Sequence, residues 1–445
     1  MSKDDRKVAL AGPPVKTRRV RRGKVIKISP RSAKGVSDTA QAKFINVYVC
    51  RDGDLNKIPD TETDGVVDIA SGRTHVAILT QSSRILTWGA NDKCALGQDT
   101  VRKQKFKAEG AGDSHSDHAE TKIVRLAAAD NATLALADDG LVYGWGTYIR
   151  WEGKPGFGLN SMNELVEKQA DPILIPRLAN IIQICACTNF CLALGMDGKV
   201  YSWGRGKQSQ LGRRLVVSRT ESARHSTTSI ETLQNKMSFV PGIVPLPKAE
   251  KIVSIHAGSD HAFAIDAKGD TWAWGLNNFG QTGIAAGAGV KSGTVAMPKR
   301  VPSLTGKTMK MIVGGNFHSI GITQSGECLV RGHPTKVILT DGKPSILLEP
   351  TPLPYSGCTY AAAGAYHSLL VTDECKVYSW GLNPRRQCGQ GIDERHTMVP
   401  TLIDSESIRN RKISRVGFGA QYTLIASAHQ GVELDEAPVK KLEKI

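Results

Sequence analysis

Residues 252–283 read IVSIHAGSDHAFAIDAKGDTWAWGLNNFGQTG, and the punctuation of this stretch decides the fold. An apolar run from Ile252 leads into Gly258-Ser259-Asp260. A second run, His261 to Ile265, ends at the Lys268-Gly269-Asp270 turn. A third closes on Trp274-Gly275, and a Gly-rich loop, Asn278 to Gly283, follows. Apolar runs this short, bounded by Gly and Asp, read as antiparallel strands rather than helices.

The stretch repeats along the chain. Trp-Gly stands at Trp88, Trp145, Trp203, Trp274 and Trp380, and a degraded copy ends at Arg331-Gly332. The gaps of 57, 58, 71, 57 and 49 residues each suit one four-stranded antiparallel unit. The turn before each pair also repeats. Ser71-Gly-Arg-Thr-His75, Ala257-Gly-Ser-Asp-His261, Gly314-Gly-Asn-Phe-His318 and Ala363-Gly-Ala-Tyr-His367 share one frame. In that frame the other repeats read Ala129-Asp-Asn-Ala132, Cys187-Thr-Asn-Phe190 and Gly419-Ala-Gln-Tyr422. There are thus seven Gly-turns but six Trp-Gly halves. The last Gly-turn lacks what should follow it, and the first apolar run, Phe44 to Cys50, lacks what should precede it. Joining the two completes a seventh unit, closes a ring and removes the exposed sheet edges of an open array. The expected fold is all-β, a seven-bladed β-propeller closed by its N-terminal strand, over residues 44–427.

Composition bounds the rest. At 445 residues and 40% apolar content the chain can bury a large core, and it holds no apolar run long enough to span a membrane. Charges near the N-terminus argue against a secretory signal. Nine cysteines without framework spacing fit a reducing compartment. The formal net charge is +16, and residues 1–43 supply +10 of it, from 13 Lys/Arg against 3 Asp/Glu. Their prolines and lack of aromatics read as a disordered arm, and residues 428–445 as a polar tail. The cluster Lys16, Arg18, Arg19, Arg21, Arg22 and Lys24 suits a nuclear import receptor, a DNA backbone, or both; the plainer alternative is a solubilising tail.

In this repeat the chain resembles the regulator of chromosome condensation family, nuclear exchange factors for the Ran GTPase. The match is best at Leu126-Ala-Ala-Ala-Asp-Asn131, Val142-Tyr-Gly-Trp-Gly-Thr-Tyr148 and Trp274-Gly-Leu-Asn-Asn-Phe-Gly-Gln281, and it is nearest the fungal members. Propellers of this kind serve several functions, so the sites must carry the functional reading.

The resemblance implies three sites. The excursion Thr147 to Leu159, TYIRWEGKPGFGL, resembles the wedge hairpin that enters the phosphate-binding region of Ran. Tyr148, Glu152, Gly153, Gly156 and Phe157 match the fungal pattern, whereas Ile149, Arg150 and Trp151 depart from it. The rim of Gly-turns supplies a second set. His75, Asp130 and Arg213 fall at GTPase-contact positions. The family's third-repeat Asp is Asn189 here, its fifth-repeat His is Phe317, and Asp260 offers an acid on a different blade. Third, the long connection from Arg213 to Glu250 resembles a loop that sets arginines on the histone acidic patch; Arg214, Arg219 and Arg224 are its candidates.

Two constellations invite chemistry and do not carry it. His75, His261, His318 and His367 fall on different blades, so each is expected to bond backbone near its own turn. Cys185, Cys187 and Cys191 lack a fourth ligand, and alternation along a strand divides their directions. No metal, cofactor, membrane or small-molecule substrate is expected. The expected protein is a nuclear, chromatin-associated nucleotide-exchange factor for a Ran-like GTPase, with a nucleosome and an import receptor as further partners. The alternative is a propeller scaffold without exchange activity. An enzyme built on the propeller has no carboxylate pair or triad behind it.

Overall fold

The computed structural model describes residues 44–51, 54–57, 65–97, 112–113, 122–215, 233–234, 236–246, 250–333, 347–391, 394–409, 411–420 and 422–428. Their architecture is seven four-stranded antiparallel blades. Blade four, the stretch quoted first, comprises Ile252–Ala257, His261–Asp266, Thr271–Leu276 and Thr294–Arg300 in that spatial order. The first strands of successive blades touch in sequence, and the strand Ile413–Phe418 returns to Val66–Ser71, which closes the ring. Blade seven is composite. Ile413–Phe418 and Thr423–Ala428 come from the end of the chain, while Phe44–Arg51 and Asp54–Lys57 come from its start. Antiparallel pairing of Val47 with Ala426 and Val49 with Leu424 fastens the two.

Burial follows strand position. Every residue of the second strands His75–Thr80, Ala132–Ala137, Phe190–Gly195 and His261–Asp266 is buried. The outer strand Gln169–Leu174 mixes half-buried and exposed residues, with none buried. Trp145, Trp203, Trp274 and Trp380 are among the largest fully buried side chains, as core anchors should be. Trp145 and Trp274 each donate the indole N–H across a blade boundary, to Ala95 O and Gln210 O at 2.9 Å.

The glycine of each Trp-Gly pair is fixed by a close approach. Gly146 has φ +105° and Gly204 φ +108°, conformations that favour glycine. A Cβ there would lie 2.3 Å from Asn131 O and 2.5 Å from Asn189 O. The next residue bonds that same carbonyl: Thr147 N to Asn131 O and Arg205 N to Asn189 O, each at 2.8 Å. Third strand and Gly-turn are thereby locked together in blades one to six. The degraded repeat keeps Gly332 with the same geometry against Phe317 O, though Arg331 replaces the tryptophan.

The histidines correct one expectation. They bond hydroxyls of the following blade rather than backbone near their own turns. His75 Nε2 lies 2.9 Å from Thr133 Oγ1, His261 Nε2 2.8 Å from Ser319 Oγ, and His318 Nε2 2.9 Å from Ser368 Oγ. The Thr133 hydroxyl already donates to Ala95 O, and that of Ser319 to Gln281 O. These two hydroxyls therefore accept from the imidazole, which fixes the Nε2–H tautomer. Burial pushes the His75 and His318 pKa values down to about 4 and those of His261 and His367 to about 3. These are neutral staples between blades.

Candidate functional site

Four antiparallel strands place the first turn and the third-to-fourth loop of every blade at one end of the ring. The Gly-turns and the excursion after Trp145-Gly146 therefore share a rim. Backbone bonds run around it. Arg73 N donates to Asp130 O at 3.0 Å, Asp130 N to Thr188 O at 3.2 Å, and Ala420 N to Arg73 O at 2.9 Å.

The excursion folds into two hairpins. Tyr148–Ile149 pairs with Pro155–Gly156, with Arg150 N bonded to Lys154 O and a tight turn through Gly153 at φ +80°. Gly158–Leu159 then pairs with Leu165–Val166, a second hairpin the sequence did not disclose. The first is rooted in the core. Tyr148 is buried, its hydroxyl 3.2 Å from Cys191 Sγ, and its ring stacks on buried Phe157 at 5.5 Å. Glu152, Gly153 and Lys154 are exposed at the tip, with Arg150 and Trp151 half-buried behind them. Expected as contact residues, Tyr148 and Phe157 instead anchor the hairpin, because neither presents surface.

Asn189, on the Gly-turn of blade three, ties this hairpin to the ring. Its Oδ1 accepts from Ile149 N at 2.8 Å, and the residue is 6% exposed. Two acids lie on the neighbouring turns. Asp130 reaches Arg73 at 4.0 Å, and its pKa is pushed up to about 6, by burial first and by the Asp260 charge as well, against Arg73. Asp260 accepts from Gln210 Nε2 at 2.8 Å; burial raises its pKa and Arg205 opposes the rise. The Asp260 charge on blade four thus reaches Asp130 on blade two. Sequence reasoning missed Arg73 and Arg205, although Arg73 stands in a quoted Gly-turn and Arg205 directly follows Trp203-Gly204.

Two further expectations are corrected. His75 is fully buried in its inter-blade bond and offers nothing to a partner. Arg213 is spent within its own blade. Its guanidinium donates to Ser202 O, Met237 O and Val240 O at 3.2, 3.3 and 2.9 Å, and burial lowers its pKa to about 10. Arg214 is exposed beside it. Phe317 lies on the rim in an aromatic strip, 5.1 Å from Phe279 and 6.5 Å from Tyr366, with His333 5.1 Å from Phe279. Lys16, Arg18, Arg19, Arg21, Arg22, Lys24, Arg219 and Arg224 lie outside the described residues.

The RCC1-like domain model matches residues 39–425. The chain belongs to this family. It is 30% identical over 430 residues to the guanine nucleotide exchange factor SRM1 of Saccharomyces cerevisiae, covering 87% of this chain and 83% of that one. The crystal structure of Prp20p from S. cerevisiae, described with its binding to Gsp1p and histones, aligns with TM-score 0.75 at 27% identity over 87% of this chain and 93% of that one. Yeast RCC1 (Prp20) bound to Kap60 aligns with TM-score 0.75 at 27% identity, covering 93% and 96%. The RCC1-like match therefore spans nearly the whole ring, and the rooted hairpin and the rim acids Asp130 and Asp260 lie within it.

Proposed function

We propose that this RCC1-like chain is a guanine-nucleotide exchange factor for a Ran-like GTPase that acts at chromatin. The observation that carries the proposal is the hairpin 148–156. It is rooted by Tyr148, Phe157 and Asn189, exposed at Glu152 to Lys154, and set on the same rim as Asp130 and Asp260. The kinship with SRM1, an exchange factor by name, supports it.

The mechanism requires no covalent step. A GTPase holding its nucleotide at nanomolar affinity invests about 12 kcal/mol in it. A factor that prefers the empty GTPase weakens nucleotide binding by the same coupling free energy. The hairpin tip enters where phosphate was held, while the acidic rim grips cationic side chains of the GTPase. GTP then refills the site and displaces the factor.

Localisation follows from charge. Residues 1–43, with net +10, form an arm that binds DNA phosphate and an import receptor; the ring spans 44–427 and a tail 428–445. Arg214, Arg219 and Arg224 are the candidates for a histone acidic patch. The protein is accordingly nuclear and serves nucleocytoplasmic transport and mitosis. Kinship with Prp20, structurally characterised with Kap60 and described with histones, supports these partners.

A second reading, a scaffold without exchange activity, draws on Asn189, which stands where the resemblance calls for an acid and turns its side chain to the hairpin. Release of a fluorescent GDP analogue from Ran in excess GTP separates the two. Many-fold acceleration that Trp151→Ala with Glu152→Ala abolishes establishes exchange. A spontaneous rate in the presence of wild-type protein overturns it.

A further inference from the structure

We infer that the second hairpin, residues 158–166, is a contact arm for the same GTPase, with Met162 as its apolar tip. The inference rests on the exchange-factor reading and adds to it a surface that grips the partner without displacing nucleotide.

Met162 is 73% exposed, the most exposed large apolar side chain among the described residues. Single exposed apolar residues are ordinary on protein surfaces. What sets this one apart is the construction that presents it. Asn160 Oδ1 accepts from Met162 N at 3.0 Å and from Glu164 N at 2.8 Å, and Asn160 Nδ2 donates to Glu164 Oε2 at 3.0 Å. Asn160 N bonds Glu164 O, Asn163 N bonds Asn160 O, and Asn163 takes the left-handed conformation at φ +61°. One asparagine thus organises the whole tip. A tip held this way loses little conformational freedom when Met162 is buried, which favours binding.

Position names the partner. The two hairpins share Phe157 as their pivot, its ring stacked on Tyr148 and its N–H donated to Val166 O at 2.7 Å. Leu165 packs toward the first hairpin, its Cδ2 3.5 Å from where a Gly156 Cβ would stand. Lys168 Nζ, bonded to Asp92 O at 3.0 Å, fastens the base of the arm to the neighbouring loop of blade one. A GTPase engaged by the wedge is therefore within reach of the arm. Met162 with Glu164 on the same tip fits a shallow apolar pocket bordered by cationic side chains.

The arm is predicted to act on affinity and the wedge on turnover. GDP release is measured against Ran concentration for wild type, Met162→Ala and Met162→Glu, with affinity for nucleotide-free Ran read by biolayer interferometry. Met162 is solvent-exposed, so both variants keep the wild-type thermal midpoint. The expected result for Met162→Glu is about a tenfold rise in KM and in Kd, with kcat within about twofold of wild type. Asn160→Ala, which frees the tip and leaves Met162 in place, raises KM by a smaller factor. Unchanged KM and Kd in Met162→Glu overturn the arm while leaving exchange intact. If wild type fails to accelerate release, the exchange reading falls. The Kd comparison alone then decides the arm, and equal or absent binding overturns it.

Discussion

Asn189→Leu replaces the amide by a somewhat bulkier apolar group branched at the same carbon, and so removes a hydrogen-bond acceptor. In the wild type, Asn189 Oδ1 lies 2.8 Å from Ile149 N, at the point where the hairpin leaves the ring. Asn189 is 6% exposed, so a leucine in its place leaves the Ile149 N–H facing apolar atoms. An amide left unsatisfied in such a setting costs about 1–3 kcal/mol. The backbone bond from Arg205 N to Asn189 O does not involve the side chain, so the Gly-turn itself keeps its shape. The penalty therefore falls on the seating of the hairpin. At about 1.4 kcal/mol per tenfold, kcat for GDP release should fall about 5- to 140-fold while KM changes little. Asn189→Asp retains an acceptor at the same atom and should restore kcat. Hydrogen–deuterium exchange of the peptide over residues 148–156 supplies an independent readout, with protection lost in the leucine variant and kept in the aspartate variant. Wild-type turnover in Asn189→Leu together with unchanged protection would refute the seating argument.

Asp130 is expected to imprint a pH dependence on stability. Its pKa in the fold, about 6, lies above the ordinary 3.8, so the fold binds this proton more tightly than the unfolded chain does. The stabilisation is full below about pH 4 and is lost as pH rises through about 6; urea midpoints of Asp130→Asn should lack that part of the decline. Arg331 is 4% exposed, with Nη1 unpartnered where most other repeats carry tryptophan. Arg331→Trp removes a poorly paired buried cation and should raise the urea midpoint by the equivalent of about 1–3 kcal/mol; a lowered midpoint would show that the site cannot take the indole. Deleting residues 1–43 should weaken binding to duplex DNA and flatten its dependence on salt, by about 0.9 in log–log slope for each phosphate that the arm had neutralised. An unchanged slope would remove the arm from DNA binding.

What could be read in the chain was its repeated backbone geometry. The glycine of Trp-Gly recurs because Gly146, Gly204 and their counterparts, Gly332 of the degraded repeat included, pass within van der Waals distance of their own Gly-turns, and no side chain is tolerated there. Ring closure was legible for the same reason, since Phe44 to Cys50 and Gly419 to Tyr422 are complementary halves of one unit. Side-chain assignments fared less well. The histidine staples reach the next blade, to Thr133, Ser319 and Ser368, each the residue after the histidine position of the following repeat. That signal was present, but it lies one repeat away from the residue it serves. The sequence does not show that Tyr148 and Phe157 face the core, because Tyr148 lies in a two-residue strand with no usable alternation and Phe157 in the link between two such strands. The second hairpin is hidden for the same reason, its strands being two residues each.

These details separate two demands that any exchange factor must meet. Contacts made equally to the loaded and the empty GTPase hold the partner but leave nucleotide affinity unchanged; only contacts that prefer the empty state promote release. A wedge can deliver no more differential energy than its own seat will bear, because a hairpin that yields relaxes instead of displacing phosphate. Here the seat is distributed over a buried tyrosine, a stacked phenylalanine and one asparagine, all referred to a ring whose blades are stapled by neutral histidines. An aspartate at position 189 would be a third acid beside Asp130 and Asp260, whose pKa values are already raised by burial. The neutral amide makes the same bond to Ile149 without adding that repulsion. On this view Asn189 gives up charge toward the GTPase and keeps its hold on the hairpin, and Asp260 keeps an acid on the rim one blade away.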